Sequence, residues 1–358
     1  MHTPPGTHTV TPEEAGTRLD ALLAALCPGM GLRGRRRLCQ QGRAVVNGRV
    51  RPAGHTLRAG DVCAILPAEA APTGAPPVTV GGAAGEEAPR LLTARGMPDG
   101  LHFCSKPAGL HTLALAGSNA DSLEARLPGL FPQPLPRPLT RLDGGTSGIV
   151  TLAATPEAAA HWHAAEDAGQ CRKYYLALLA GRLEGAVTVT NALDTRHRAT
   201  TAVLGRDAAP LRHTHLAPLF WCAPDAGHAL PHSPPTQGVT LALCGILKGA
   251  RHQIRAHAAH VGYPLWGDSR YGGPAIGDGK GDRAAMGANM GANMGAGMGA
   301  GDGAFFLHHA LLVLGTGRVQ CPCPWLCALP MAAREAARVV LCRTAGGHPA
   351  PHLTGLGA

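Results

Sequence analysis

The sequence predicts an α+β protein in which a mixed, mostly antiparallel sheet is flanked by helices and loops. Apolar strand-like runs are numerous, whereas helical segments are few and do not alternate regularly with them. A stretch rich in Pro, Ala and Gly separates the first part of the chain from the rest. The first part predicts two helices followed by a hairpin, so a small helix–helix–hairpin module is expected to precede the main sheet.

The chain of 358 residues is long enough for two domains with at least one sizeable core. It contains no run of eighteen apolar residues, and its start lacks the basic and apolar regions of a secretion signal. We therefore expect a cytoplasmic protein with no membrane partner. The eleven cysteines are scattered, which is typical of reduced thiols. A zinc site at Cys321, Cys323 and Cys327 would lack a second ligand pair, so no metal is expected.

The N-terminal module is predicted element by element. Residues 1–16 are polar and rich in Pro and Gly, which indicates a flexible tail. RLDALLAAL has helical spacing of leucines, and LRGRRRLCQQG predicts a second helix that ends at Gly42. AVVNGRVRP predicts a hairpin that turns at Asn47 and Gly48, and DVCAIL predicts a closing strand.

Residues 17–66 are strongly basic, with nine arginines against two aspartates and a net charge of +7. This charge favours a polyanion partner, most simply nucleic acid. A solvated basic face would have the same composition. The second predicted helix could lie along a phosphate backbone through four arginines: Arg33, Arg35, Arg36 and Arg37.

Residues 67–89 have the composition of a linker, and residues 90–330 then predict the main domain. Strands are expected at LHFCSKPAGL, IVTLAA, RKYYLALLAG, THLAPLFW, VTLALCGIL and FFLHHALLVL, and helices at SLEARL, PEAAAHWHAAEDAG and RHQIRAHAAHVG. Residues 274–304 include a near-repeat of Gly-Ala-Asn-Met, which predicts a flexible insertion rather than a methionine-rich binding site. Residues 331–358 are assigned to a C-terminal extension.

Three segments carry side chains that could take part in catalysis. RPLTRLDGGTSGIV places a lone carboxylate, Asp143, between Arg141 and two glycines. RKYYLALLAG contains Tyr175, and ARHQIRAHAAHVGYPLWGD places His252 and Arg255 near one another on a helix. Taken singly, the first segment could be a surface turn, the second a core strand and the third the polar face of a helix. His257 and His260 lack the carboxylate that would complete a zinc site.

Together, and in this order, these segments resemble the RluA family of RNA pseudouridine synthases. The family's motifs are Arg-Leu-Asp followed after two residues by Thr-Ser-Gly, then Lys-x-Tyr-x-Ala-Leu-x-x-Gly, then His-Gln-Ile-Arg with Gly-x-Pro and Gly-Asp-x-x-Tyr-Gly. They match residues 141–148, 173–181, 252–255, 262–264 and 267–272. SKPAGL and LHHA resemble the opening and closing blocks, so the similarity spans roughly residues 100–315. The basic module resembles the RNA-binding domain named for ribosomal protein S-four.

The resemblance implies a pseudouridine synthase fold and an isomerase that needs no cofactor or metal. Such an enzyme breaks the bond between ribose and uracil, turns the base and rejoins it through carbon 5. Asp143 would be the catalytic carboxylate, which either attacks the ribose or the base or stabilises a sugar cation, and the sequence does not choose between these routes. Arg255 would hold this carboxylate ionised through a bidentate contact. Tyr175 would stack on the target base and help to move the proton lost from carbon 5.

The resemblance also implies RNA contacts. Arg141 would fill the space left by the flipped uridine, and the glycines after Asp143 would let a tight loop approach the RNA backbone. Further contacts are expected from Lys106, Lys173 and His252, in addition to the four arginines of the basic helix. Large-subunit ribosomal RNA is the expected target, with transfer RNA as the alternative, and the protein is expected to act as a monomer.

Thr140, Gly144 and Ala250 stand where the family often has a histidine, a basic residue and an arginine. None of these positions carries the reaction itself. A protein that only binds RNA would not need Asp143 and Arg255 together with the stacking tyrosine. A glycosidase-like hydrolase would need a second catalytic carboxylate, and none stands out near the three segments. The sequence therefore favours the synthase over both alternatives.

Overall fold

The computed structural model describes residues 7–40, 43–51, 53–66, 88–114, 121–197, 199–224, 236–276 and 304–346. Most of the linker predicted at 67–89 and of the insertion predicted at 274–304 lies outside these residues. Two compact units are formed, one by residues 1–83 with 114–121 and the other by residues 84–113 with 122–358. None of the helices in the described ranges is long and apolar enough to cross a membrane.

The first unit contains two helices and a four-stranded antiparallel sheet. Its elements are β1 (Thr7–Thr9), α1 (Leu19–Leu26), α2 (Leu32–Gln40), β2 (Ala44–Val46), β3 (Arg49–Val50) and β4 (Val62–Ile65), with strand order β1-β4-β2-β3. The β2–β3 hairpin turns at Asn47 and Gly48, whose φ angles are 50° and 72°. Two successive residues with positive φ give the hairpin a turn that matches the twist of its strands.

The structure differs from the flexible tail expected over residues 1–16. Thr7 and Thr9 pair with Ala64 and Val62, so β1 forms one edge of the sheet. Val10 is 2% exposed and packs in the apolar core of the first unit. A three-residue strand with one apolar anchor has no recognisable periodicity, which is why its sequence gave no sign of order.

The second unit is built on an eleven-stranded sheet. Its strands are β5 (Arg90–Leu91), β6 (Ala94–Arg95), β7 (Leu101–Lys106), β8 (Arg137–Pro138), β9 (Ser147–Ala153), β10 (Cys171–Ala180), β11 (Val187–Val189), β14 (Thr214–Cys222), β15 (Val239–Ile246), β16 (Leu307–Leu314) and β17 (Gly317–Gln320). The main order is β11-β14-β15-β10-β16-β9-β7-β5, and only the β16–β9 pair is parallel. β12 (Asn191–Asp194) and β13 (Ala202–Asp207) form a separate hairpin.

The central strands are covered on both faces. Leu176 and Leu178 of β10 belong to one apolar cluster, whereas Tyr175, Ala177 and Leu179 belong to another. Successive residues of a strand point to opposite faces, so both faces of β10 are packed. This double coverage explains why β10, β15 and β16 are continuous apolar runs in the sequence rather than alternating ones.

Within the described ranges, the helices that flank the sheet are α3 (Leu123–Arg126), α4 (Pro156–Asp167), α5 (Gln253–His260) and α6 (Met331–Ala345). α4 begins where the Thr155 side chain accepts a hydrogen bond from the Ala158 N–H at 3.2 Å. It buries Trp162 completely against β9 and its neighbours. The predicted helices at SLEARL, PEAAAHWHAAEDAG and RHQIRAHAAHVG are therefore present.

The helix α6, which lies in the segment assigned to a C-terminal extension, packs in the core of the second unit. Ala333 and Ala337 of α6 are fully buried and pack in the same cluster as Trp325 and Leu329. The boundary predicted at residue 330 is therefore wrong. Two alanines spaced four residues apart give a close-packing face but only a weak apolar signal, which explains why the sequence did not reveal it.

We predict that Ala337→Glu lowers the free energy of unfolding of the second unit by about 3 kcal/mol or more, because it places an unpaired carboxylate in the core. Met331→Glu puts the same side chain on the same helix at a position that is 76% exposed. This control should unfold like the wild type in urea. Equal stability of both variants would contradict the assignment of α6 to the core.

Candidate active site

Asp143 lies in the loop that leads into β9. Its backbone carbonyl accepts a hydrogen bond from the Thr146 N–H at 3.1 Å, which closes a turn over residues 143–146. The Asp143 side chain is 20% exposed, next to an exposed Arg141 and a buried Leu142. The loop therefore presents one carboxylate and one guanidinium while Leu142 anchors it in the core.

Residues 106–112 hold this loop from one side. The Thr112 hydroxyl donates to the Leu142 carbonyl at 2.9 Å and accepts from the Leu142 N–H at 3.0 Å. The Gly109 N–H donates to the Gly144 carbonyl at 2.8 Å. The backbone on both sides of Asp143 is thereby fixed by one neighbouring segment.

The glycines of the loop have a different role from the one expected. Neither Gly144 nor Gly145 has a positive φ. A Cβ on Gly145 would lie 2.7 Å from the Phe305 ring, and one on Gly144 would lie 3.2 Å from His111. The structure therefore uses these glycines to make room for two side chains of the protein rather than for the RNA backbone.

Gly148 is the position at which backbone geometry demands glycine. Its φ is 112°, and a Cβ there would lie 2.3 Å from the carbonyl oxygen of His309. It pairs directly with His309 where β9 and β16 run parallel. No other residue fits this close approach of two strands, which brings the catalytic loop next to β16.

Arg255 joins two carboxylates. Its Nη1 donates to Asp143 Oδ2 at 3.2 Å, and its Nε and Nη2 donate to the two oxygens of Asp268 at 2.6 and 2.9 Å. Arg255 and Asp268 are each 1% exposed. The bidentate contact expected with Asp143 is therefore wrong: the paired N–H groups face Asp268, and Asp143 receives a single hydrogen bond.

The Arg255 guanidinium is enclosed by aromatic rings. Its central carbon lies 4.3 Å from the centroid of Phe305 and 5.2 Å from that of Tyr271. Asp268 reaches it from a tight turn, since a Cβ on Gly267 would lie 2.0 Å from the Ala304 carbonyl oxygen. Ring faces and carboxylates together compensate the desolvation of this buried cation.

His252 lies beside Asp143 within the site. It is 8% exposed, and its Nε2 is 3.8 Å from Asp143 Oδ1. Its Nδ1 is 2.8 Å from the Tyr271 hydroxyl, which accepts a hydrogen bond from the Thr201 N–H at 2.7 Å. A left-handed backbone (φ 54°) at the start of α5 turns His252 towards the carboxylate that Arg255 also contacts. His252 therefore lies against Asp143, and its expected RNA contact stays a prediction.

Lys106 is buried beneath the loop rather than exposed to RNA. Its ammonium donates to the carbonyls of Pro107, Leu110 and Gly144 at 2.9, 2.7 and 3.3 Å, and the residue is 1% exposed. Burial lowers the pKa of Lys106 to about 7, and the charge of Asp143 opposes this shift. Lys106 is therefore a structural cation of the site, and the predicted RNA contact is corrected.

Tyr175 projects from β10 into the same site. It is 7% exposed, and its ring stacks on His309 with the centroids 4.5 Å apart and the planes at 15°. Burial raises the pKa of Tyr175, and the charge of Asp143 raises it further. The phenol therefore stays protonated at neutral pH, which favours the expected stacking role over proton abstraction.

His309 supports Tyr175 as a neutral ring. Its Nδ1 donates to the Ile149 carbonyl at 2.8 Å, and burial lowers its pKa to about 3. The neighbouring His308 lies 2.8 Å from the Ser147 hydroxyl and has a pKa of about 4 for the same reason. Both histidines tie β16 to β9, the strand that carries the catalytic loop.

Several other residues expected to bind RNA have partners within the protein. Lys173 is 4% exposed, forms an ion pair with Glu166 and lies 5.6 Å from the Trp162 ring, so its predicted RNA contact is also corrected. Arg35 donates to the Ala21 carbonyl at 3.0 Å, and Arg36 donates to the buried Asp20 at 2.7 Å. The side chains of Arg33 and Arg37 lie outside what the structure describes.

Two of the positions that depart from the family pattern have local roles. The Thr140 hydroxyl accepts a hydrogen bond from the Thr151 N–H at 2.9 Å, at the edge of β9. The Ala250 N–H donates to Gln253 Oε1 at 2.9 Å, which closes the turn before α5. Both positions therefore support the backbone of the site rather than its chemistry.

The sequence did not assign roles to Asp268, His309 or Tyr271. Asp268 belongs to a recognised motif, but nothing in its spacing shows that it faces Arg255. All eleven cysteines are free thiols. Across the described ranges, no three His, Cys, Asp or Glu side chains are grouped so that they could hold a metal ion.

Comparison with known proteins relates this site to one family. A family model described as RNA pseudouridylate synthase matches residues 100–260. A ribosomal large subunit pseudouridine synthase D of Xanthomonas campestris is 29% identical over 273 residues, covering 74% of each chain. A ribosomal large subunit pseudouridine synthase C of Vibrio cholerae is 28% identical, covering 72% of this chain and 78% of that protein. The structure titled Human RNA Pseudouridylate Synthase Domain Containing 1 is 21% identical, with a TM-score of 0.46, over 69% of this chain and 88% of that one.

The buried histidines predict loss of stability in acid. The pKa values of His257 and His308 fall to about 4 and that of His309 to about 3, mainly through burial, from an ordinary value of 6.5. The unfolded chain therefore binds more protons than the folded one below pH 6.5. Each group should contribute about 1.4 kcal/mol per pH unit to this loss between pH 6 and 4.5.

We expect His309→Phe to reduce the slope of unfolding free energy against pH by about one proton, or about 1.4 kcal/mol per unit, in urea titrations at several pH values. The exposed His260 of α5 provides the control variant His260→Phe, which should leave the slope unchanged. A slope that is identical in wild type and His309→Phe would contradict a neutral, buried His309.

We predict that Asp268→Asn lowers the free energy of unfolding by about 3 kcal/mol, because it leaves the buried Arg255 with one carboxylate instead of two. Asp194→Asn is the matched control, since Asp194 pairs with Arg196 at the surface and its loss should change stability little. Chemical denaturation of the two variants measures the difference. Equal effects would show that the Arg255–Asp268 pair does not organise the site.

Proposed function

We propose that the chain is an RNA pseudouridine synthase, as the family model matching residues 100–260 supports, and that Asp143 is the catalytic carboxylate of this isomerase. Its substrate would be specific uridines of structured RNA, which it converts to pseudouridine. The observation that carries this proposal is the contact of Asp143 with the buried Arg255, which itself is held by Asp268. A partly exposed carboxylate on a rigid cationic support is the arrangement that a nucleophile needs.

The charged groups around Asp143 support the proposal. The site contains two carboxylates, on Asp143 and Asp268, and two buried cationic side chains, Arg255 and Lys106. Arg255 and Asp268 neutralise each other, so Asp143 has the neighbouring charge of Lys106 as its counterpart. A flipped base that excludes water strengthens these interactions, because screening by solvent is reduced.

The reaction exchanges one glycosidic bond for another. The Asp143 oxygen would attack either carbon 1′ of the ribose or the base, and the bond from carbon 1′ to nitrogen 1 would break. Carbon 5 would then form the new bond to carbon 1′, and the bond to Asp143 would break, which frees the carboxylate. The proton on carbon 5 is then lost and nitrogen 1 regains one, so no oxidant or reductant is consumed. The raised pKa of Tyr175 supports a role in stacking on the base rather than in removing that proton.

Base flipping is required because carbon 1′ and the base of a stacked uridine are not accessible to a carboxylate. Arg141 is exposed two residues before Asp143, where it can occupy the space that the flipped uridine leaves. Leu142 between them is buried and fixes the distance from the inserted side chain to the catalytic one. This arrangement supports a role for Arg141 in stabilising the opened RNA.

Large-subunit ribosomal RNA is the proposed target. The curated relatives compared above are named as ribosomal large subunit pseudouridine synthases. The net charge of +7 on residues 17–66 supports a role of the first unit in binding the RNA backbone. Arg36 contributes less to this surface than expected, because its charge is paired with Asp20.

We expect carbodiimide mapping of ribosomal and transfer RNA to lose one or more pseudouridines when the gene is deleted, with the loss confined to large-subunit ribosomal RNA. Wild type should restore them, and Asp143→Asn should not, because an amide is a poor nucleophile at this position. Asp99→Asn, which changes an exposed aspartate of the same unit, should restore them fully. Restoration by Asp143→Asn would refute the catalytic role, and lost sites in transfer RNA would change the target.

A further inference from the structure

His111 has a distinctive position in the segment that holds the catalytic loop. Residues 106–112 contain three polar side chains: Lys106, His111 and Thr112. Lys106 donates to three carbonyls, and Thr112 exchanges two hydrogen bonds with Leu142. Among the described residues, none forms a hydrogen bond with the polar atoms of the His111 side chain.

The imidazole lies directly against the catalytic loop. A Cβ on Gly144 would be 3.2 Å from His111 Cε1, 3.5 Å from Nδ1 and 3.9 Å from Nε2. Gly144 follows Asp143 in the chain and has an ordinary φ, so the backbone would accept any residue there. A side chain at 144 would therefore contact the ring of His111 closely and displace it by a few tenths of an ångström.

The backbone of His111 is well fixed. Its carbonyl accepts a hydrogen bond from the Leu123 N–H at 2.8 Å, and it forms a bridge with Ser122. Thr112 next to it is 3% exposed, whereas His111 is half-buried. A ring on a rigid backbone, partly open to solvent and with neither nitrogen satisfied by the protein, is prepared for an external hydrogen-bond partner.

We propose that His111 contacts the substrate by donating a hydrogen bond to a phosphate oxygen of the RNA beside the target uridine. The inference rests on the proposed function, because that function places RNA over Asp143. Phosphate oxygens receive half or more of the hydrogen bonds between proteins and nucleic acids, and they position the strand without reading its sequence. His111 then holds the RNA strand beside Gly144, the residue that follows Asp143. The exposed Arg141 lies two residues before Asp143.

The alternative is that His111 only fills the space above Gly144. Phenylalanine keeps a ring of similar size but has no donor, whereas glutamine keeps a donor. A second variant restores a donor at Gly144, the residue that the imidazole contacts. In His111→Ala with Gly144→Lys, the space left by the imidazole receives an ammonium group attached to the catalytic loop.

The experiment uses the full-length protein and unmodified large-subunit ribosomal RNA transcribed in vitro. Filter binding gives Kd, and pseudouridine formation gives kcat and KM. We expect His111→Phe to raise Kd and KM about tenfold, the effect of one lost hydrogen bond, with kcat within threefold of wild type. His111→Gln or the double variant with Gly144→Lys should recover at least half of the lost affinity on a logarithmic scale. His163→Phe, at an exposed position of α4, should behave like wild type.

The outcomes separate the two proposals. Unchanged Kd and KM in His111→Phe would overturn the phosphate contact, and so would a loss that neither donor-restoring variant recovers, since shape would then explain it. If the wild type forms no pseudouridine in this RNA, the proposed target falls. The Kd values of the His111 variants on the same transcript would still support or refute the contact. Melting temperatures within about 2 °C of wild type would show that the variants are folded.

Discussion

The buried ion pairs of Arg255 are the interaction on which the rest of the site depends. A guanidinium that is 1% exposed cannot be left unpaired, because removing one partner of a buried charge costs several kcal/mol. Asp268 takes two of its N–H groups and Asp143 a third. Three segments therefore have to meet at one point: α5, the turn at residues 267–273 and the loop before β9. The Asp143 carboxylate is therefore positioned by a requirement of folding, whatever its role in function.

The sheet gives this meeting point its rigidity. β9, β10 and β16 are central and buried, and they carry Gly148, Tyr175 and His309 to the same place. The parallel step from β9 to β16 brings the two backbones so close that only glycine fits at position 148. His309 then uses one nitrogen to bond β9 and its ring to support Tyr175. Tyr175 and the loop of Asp143 are thus held in place by three neighbouring strands, β10, β16 and β9.

Most of the described polar side chains around the loop form contacts within the protein. Lys106 and Thr112 hold the backbone on either side of Asp143, and His252 lies against the carboxylate with Tyr271 behind it. Basic residues near a nucleic-acid site are usually read as contacts to the substrate. Here burial shows that the lysines act on the protein and that the surface left for RNA is smaller. Arg141 and the half-buried His111 are the side chains that we propose for that surface.

The sequence by itself determined the fold class, the main strands and helices, and the identity of Asp143 and Arg255. Continuous apolar runs reveal strands that are buried on both faces, and ordered motifs reveal candidate reactive residues. Both signals are local patterns in the sequence. The tertiary structure decided which distant groups meet. Asp143 and Arg255 are 112 residues apart, and nothing local shows that Asp268 takes the bidentate contact or that His111 lies against Gly144. The burial of Lys106 and Lys173 and the packing of α6 also depend on neighbours from remote parts of the chain. Sequence patterns show which segments are apolar, whereas folding decides which residues from distant parts of the chain pack against them.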